Sequence, residues 1–193
     1  MTLVTQHISS QLNLKFVAAY FKAMHKERDI RVQRREDSSL YISDGMLAVN
    51  VPLHPDLFPF TVFADNWQRA TFPHQVTIAQ EGGPDIQSFF TTWGNTERNH
   101  VLTLTPFLLE IPGATNKPGG LSRKLTAYKL MQEDFNVYIL KRMMDMLNPD
   151  LDILKGFLFE TSGHECPVRV SAVNGIVAYL MTKQNIERYL KVQ

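Results

Sequence analysis

DFNVYILKRMMDML, residues 134–147, repeats the pattern of QLNLKFVAAYFKAM, residues 11–24. Setting Leu12 against Phe135 aligns Asn13 with Asn136, Leu14 with Val137, Phe16 with Ile139 and Val17 with Leu140. The same offset aligns Tyr20 with Met143, Phe21 with Met144, Ala23 with Met146 and Met24 with Leu147. In both stretches apolar residues recur at helical spacing, so each reads as an amphipathic helix. Periodicity alone brings many pairs of helices into phase. A duplication is favoured because each helix precedes short runs of β-branched and aromatic residues with an Asp-Gly or Asn-Gly turn signal.

A helix that leads into an antiparallel run buries one face on those strands, and two such units can join edge to edge with both helices on one side. The expected fold class is therefore α+β, a single domain over 1–193 with internal pseudo-symmetry. Its first half spans 12–53 and its second half 121–183. Between them lie a strand-rich insert and linker, 54–120, and the tail is 184–193.

Along the chain, DIRVQRRE (29–36) reads as a strand and SSLYISDGMLAVNVPL (38–53) as a hairpin turning at Ser43–Gly45. PFTVFADNW, HQVTIAQ, SFFTTWG and HVLTLTPFLLEI read as strand and loop. PGATNKPGG, residues 112–120, holds two prolines and three glycines and reads as an exposed connection. The second helix stops at Asn148-Pro149, and LDILKGFLFET, CPVRVSAV and GIVAYLMTK read as strands, with a short helix in the tail.

Composition narrows the class. Of 193 residues 44% are apolar and 20% charged, with a net charge of +1, which fits a folded soluble chain and provides no global field for nucleic acid. One cysteine excludes an internal disulfide, and the start lacks the basic and apolar regions of a signal peptide, so a cytoplasmic protein without membrane contact is expected.

Chemical signals are sparse. Six histidines are scattered without metal-ligand spacing, so no metal and no cofactor are expected. GHECP, residues 163–167, brings His164, Glu165 and Cys166 together, but neighbouring strand residues point to opposite faces, and a turn with a buried Cys166 is the simpler reading. EGGPD, residues 81–85, lacks the residues of a phosphate loop and reads as a turn. Trp67 and Trp93, with Phe89 and Phe90, read as core or interface, since no basic residues interleave with them. A non-enzymatic protein is expected.

FNVYILKRMMDML, then CPVRV and GIVAYLM, is similar to the last subdomain of bacterial DNA polymerase sliding clamps, and LYISDGMLAV resembles the clamp's strand, Asp-Gly turn and Leu-Ala pair. The matching segments cover 12–53 and 133–183. This resemblance implies a clamp domain of two α/β units, assembly through sheet edges, double-stranded DNA passing the helices, and a pocket for short peptides of polymerases and other replication proteins. The pocket would use Asp44, Gly45, Leu47, Pro167, Val168, Tyr179, Leu180 and Met181. A clamp chain carries three such domains and this one can hold one, so a homo-oligomer is expected. Here the chain also continues past Met181, beyond where clamp chains end.

For DNA the candidates are Lys15, Lys22 and Lys26, which fall within about 40° of one another on the first helix, opposite Val17, Tyr20, Phe21 and Met24. On the second helix Lys141 and Arg142 stand among Asp134 and Asp145. Lys117, Arg123, Lys124 and Lys129 cluster around the linker. The first row reads equally as a solvated face, the mixed charges of the second helix weaken the DNA case, and the linker cluster reads slightly better as a solvated loop; a protein-interaction module with the clamp fold but no DNA is the alternative function.

Overall fold

Asn13 starts the first helix, α1 (Leu14–Met24), by accepting the Lys15 amide on its side-chain oxygen at 3.0 Å. Val17 and Phe21 on the helix's inner face are fully buried, and Tyr20 and Met24 nearly so. The computed structural model describes residues 12–24, 30–34, 40–51, 76–78, 86–112, 124–173 and 175–183. After α1 come β1 (Ile30–Arg34), β2 (Leu40–Ser43), β3 (Leu47–Val51), β4 (Val76–Ile78), α2 (Ile86–Asn95), β5 (His100–Pro112), β6 (Lys124–Gln132) and β7 (Phe135–Leu140). The order closes with α3 (Lys141–Leu147), α4 (Leu151–Leu154), β8 (Leu158–Thr161), β9 (Val168–Ala172) and β10 (Gly175–Leu180).

The strands form one ten-stranded sheet in the order β4-β1-β2-β3-β10-β9-β8-β5-β6-β7. Pairing is antiparallel except between β1 and β4. The fold is α+β. The meanders β1-β2-β3 and β8-β9-β10 meet edge to edge, with Leu47 opposite Leu180 and Val49 opposite Ala178. The β2-β3 turn and the start of β10 use the glycine that the sequence offers, Gly45 at φ 81° and Gly175 at φ 105°, a region that side chains other than glycine enter at a cost.

Period-two alternation sorts the strand residues onto two faces. Ile42, Leu47, Val49, Val51, Val168, Val170 and Leu180 share a core with Val17 and Phe21 of α1 and with Met143, Met144 and Leu147 of α3, and the two helices pack on one another. On the opposite face Tyr41, Ala48 and Tyr179 pack beneath Ile86 and Phe90 of α2. Beyond β10 the Met181 amide donates to Met46 O at 2.9 Å and the Lys183 amide to Tyr138 O on β7 at 2.7 Å. The six-stranded stretch from β10 to β7 therefore curls until its two ends meet.

Midway along β5 the register shifts between Leu104 and Leu108. Pro106 has no amide to give the ladder there, and Thr105 compensates by donating its hydroxyl to Lys129 O at 2.9 Å.

Three readings of the sequence are corrected and one strand is added. Residues 134–147 are not one helix: Phe135–Leu140 is strand β7, paired along its length with β6, and the helix begins at Lys141. The aligned pairs Leu14/Val137 and Phe16/Ile139 thus set helix against strand, whereas Tyr20/Met143, Phe21/Met144 and Met24/Leu147 are helical and buried in both. SFFTTWG lies in a helix, α2, because Ile86, Phe89, Phe90 and Trp93 form one apolar stripe over the sheet. LDILKGFLFET begins as the short helix α4, with Asp150 accepting the Asp152 and Ile153 amides, before β8. KLTAYKLMQ, given no element from sequence, is β6. The proposed linker beyond Pro112, the turn 81–85, Trp67 and the tail helix lie outside the described residues.

Candidate functional site

The eight residues of the expected peptide pocket lie along β3, β10, β9 and their adjoining turns, but on both faces of the sheet. Leu47 pairs with Leu180, and Leu180 with Val168. Leu47, Pro167, Val168 and Leu180 are buried, Leu47, Val168 and Leu180 in the core beneath α1 and α3. Tyr179 points to the other face of the sheet, under α2. Asp44 is buried too, and its carboxylate is engaged: Oδ1 accepts the Met46 and Leu47 amides at 2.8 and 3.0 Å, and Oδ2 accepts the Tyr20 hydroxyl at 2.8 Å. Gly45 is exposed and Met46 and Met181 are half-buried, so a peptide at this corner would meet the turn and two methionines.

Of the expected DNA contacts, Lys15 and Lys22 are exposed on the outer side of α1. On α3, Lys141 is held by Asp145 at 2.7 Å, and Arg142 is half-buried. Lys129 is half-buried on β6, and Lys124 opens that strand. Lys26, Lys117 and Arg123 lie outside the described residues.

The GHECP segment forms the turn between β8 and β9, with the Cys166 amide donating to Gly163 O at 3.2 Å and Cys166 half-buried. His164 is engaged elsewhere than at the thiol. Its ring stacks on Phe135 at 4.1 Å, and His100 stacks on that phenyl at 3.7 Å with the planes 4° apart.

Sequence reading passed over a polar cluster beneath the C-terminal end of α2. Arg169 on β9 gives its Nε and Nη2 to Glu160 Oε2 on β8 at 3.0 and 2.6 Å. Its Nη1 reaches Gly94 O at 3.5 Å. Arg98, in the segment between α2 and β5, directs Nη1 to Thr96 O, to Ser162 Oγ at 3.4 Å and to Glu97 O at 3.5 Å. The Tyr179 hydroxyl lies among these groups. One signal for the cluster was present in the sequence: an arginine between Val168 and Val170 in a strand must find a buried partner or reach a polar pocket.

Burial pushes the Tyr179 phenol above the usual tyrosine range, against the cations of Arg98 and Arg169, which favour the phenolate. The folded phenol keeps its proton at pH values where the unfolded one has lost it, so stability falls as pH rises above about 10. Tyr179→Phe should flatten that alkaline decline relative to the wild type in urea unfolding at stepped pH. Parallel declines in the two proteins would remove Tyr179 as its source.

Among the described residues no helix is long and apolar enough to cross a membrane. Comparison with protein families, with curated proteins and with solved structures finds no match to this chain.

Proposed function

We propose that this chain is a clamp-like, non-enzymatic, DNA-associated factor that serves replication as a docking platform. The observation that carries this reading is the doubled arrangement of a helix and three antiparallel strands, joined at β3 and β10, with α1 and α3 side by side on one face. That arrangement supports the pseudo-symmetric clamp architecture that the sequence resemblance implies. Lys15 and Lys22 on the outer side of α1 supply charge for phosphates without reading bases.

A second reading has its own support. Lys141 is neutralised by Asp145, which leaves the outer side of α3 mixed in charge and better suited to a protein partner than to a polyanion.

Fluorescence anisotropy of a labelled duplex separates the two. With two phosphates neutralised, affinity should fall roughly tenfold between about 50 and 200 mM salt. Lys15→Glu with Lys22→Glu should then abolish binding at the lower salt. Absent binding, or binding indifferent to the double reversal, would sink the DNA reading and leave the interaction module.

A further inference from the structure

Three successive residues past the last strand are tied to three separate elements. The Met181 amide donates to Met46 O in the β2-β3 turn at 2.9 Å, and the Lys183 amide to Tyr138 O on β7 at 2.7 Å. Between them the buried Thr182 gives its hydroxyl to His164 O in the β8-β9 turn at 2.7 Å. Residues 181–183 belong to no helix or strand, so these bonds hold them by tertiary contact and not by a ladder of their own.

His164 carries the tie further. Its backbone is held by Thr182, and its ring, on an exposed residue, lies on Phe135, the first residue of β7, whose other face meets His100 of β5. Segment 181–183 thus reaches β7 twice, directly at Tyr138 and through His164 at Phe135. β7 is the terminal strand of the sheet and is paired along its length with β6, so the Lys183 amide arrives on its outer side.

The three ties cannot act independently. Consecutive Cα atoms are about 3.8 Å apart across a rigid peptide, so a displacement that takes Met181 out of reach of Met46 is passed to Thr182 and Lys183. The conformational entropy lost in fixing one residue also matches or exceeds what one hydrogen bond returns, so the bonds hold the segment only together.

We propose that residues 181–183 are a latch that couples the corner of Gly45, Met46 and Met181 to the outer edge of β7, its ties to Met46, His164 and Tyr138 making and breaking as one unit. Closed, the latch holds the two ends of the curled sheet together. Open, it bares the side of β7 that can pair with another extended segment. Whatever takes the place of the Met181 amide on Met46 O opens β7, and whatever pairs with β7 frees the corner, since coupling between two sites is reciprocal. The latch goes beyond the docking reading and stands whether or not a peptide occupies the corner.

Native-state hydrogen exchange followed in ¹H–¹⁵N spectra tests this. The Met181 and Lys183 amides should share one protection factor, below that of Val170, which sits between β8 and β10 and exchanges only through wider unfolding. Thr182→Val keeps the shape of the side chain and deletes the hydroxyl. It should speed exchange at both amides by the same factor, about fivefold, the net effect of one hydrogen bond. The far end has its own signal, because the His164 ring protons feel the ring current of Phe135. Met181→Pro, which removes the amide that Met46 O accepts, should move those protons toward the shifts of a free histidine. In the opposite direction, Phe135→Leu should speed exchange of the Met181 amide. Unequal protection at Met181 and Lys183, protection as high as at Val170, or acceleration of only one of the two amides in Thr182→Val would overturn the proposal. So would His164 shifts in Met181→Pro, or Met181 exchange in Phe135→Leu, that match the wild type.

Discussion

Phe21→Ala should lower the unfolding free energy by about 3–5 kcal/mol, the range for truncating a buried phenylalanine. Phe21 is fully buried, packs edge-on to Tyr20 at 5.3 Å, and belongs to the core that joins α1 to both halves of the sheet. The surrounding strands are hydrogen-bonded on both sides and cannot collapse into the space left behind, which puts the expected loss at the upper end of that range. Urea unfolding should show a lower midpoint at unchanged slope. A loss below about 1 kcal/mol would mean that Phe21 does not anchor α1 to the sheet.

Asp44→Ala should cost about 3 kcal/mol, since hydrogen bonds to a charged group contribute roughly 1.5–3 kcal/mol each and buried donors left alone are penalised. Three donors depend on this carboxylate, two from the hairpin and one from α1. Asp44→Asn keeps an oxygen for the Met46 and Leu47 amides and should lose much less. The interaction with α1 is isolated by a double-mutant cycle with Tyr20→Phe, which should give a coupling of about 1–2 kcal/mol. Additive effects in that cycle would show that the turn and the helix do not depend on one another.

How far the fold can be read from the residues varies along the chain. α1 was legible because Val17, Tyr20, Phe21 and Met24 sit at strict helical spacing, and the hairpin was legible from Asp44-Gly45. FNVYIL was not. Its continuous apolar run fits a buried strand or a helix face equally by period, and only its β-branched and aromatic content argues for a strand. α2 was hidden by Thr91, Thr92 and Gly94, which are poor helix formers, and its stripe becomes visible only when the window opens at Ile86. The expected pocket residues lie along adjoining strands, but burial of Leu47, Val168 and Leu180 beneath α1 and α3 is a tertiary property that the local sequence does not carry. The pairing of Arg169 with Glu160 could not have been singled out at all, because it is made by the register of β8 on β9.

The junction of β3 with β10 also has a consequence for biosynthesis. Leu47 meets Leu180, so on the ribosome β3 is made long before the strand that covers its edge. At about 5–20 residues per second the nascent chain carries that unpaired edge, and the apolar residues Val49 and Val51, for several seconds. During that interval β3 is a template for any other extended segment. Release from this exposure coincides with the arrival of β10, which makes the wild-type protein a candidate for chaperone capture in the interval before that strand is available.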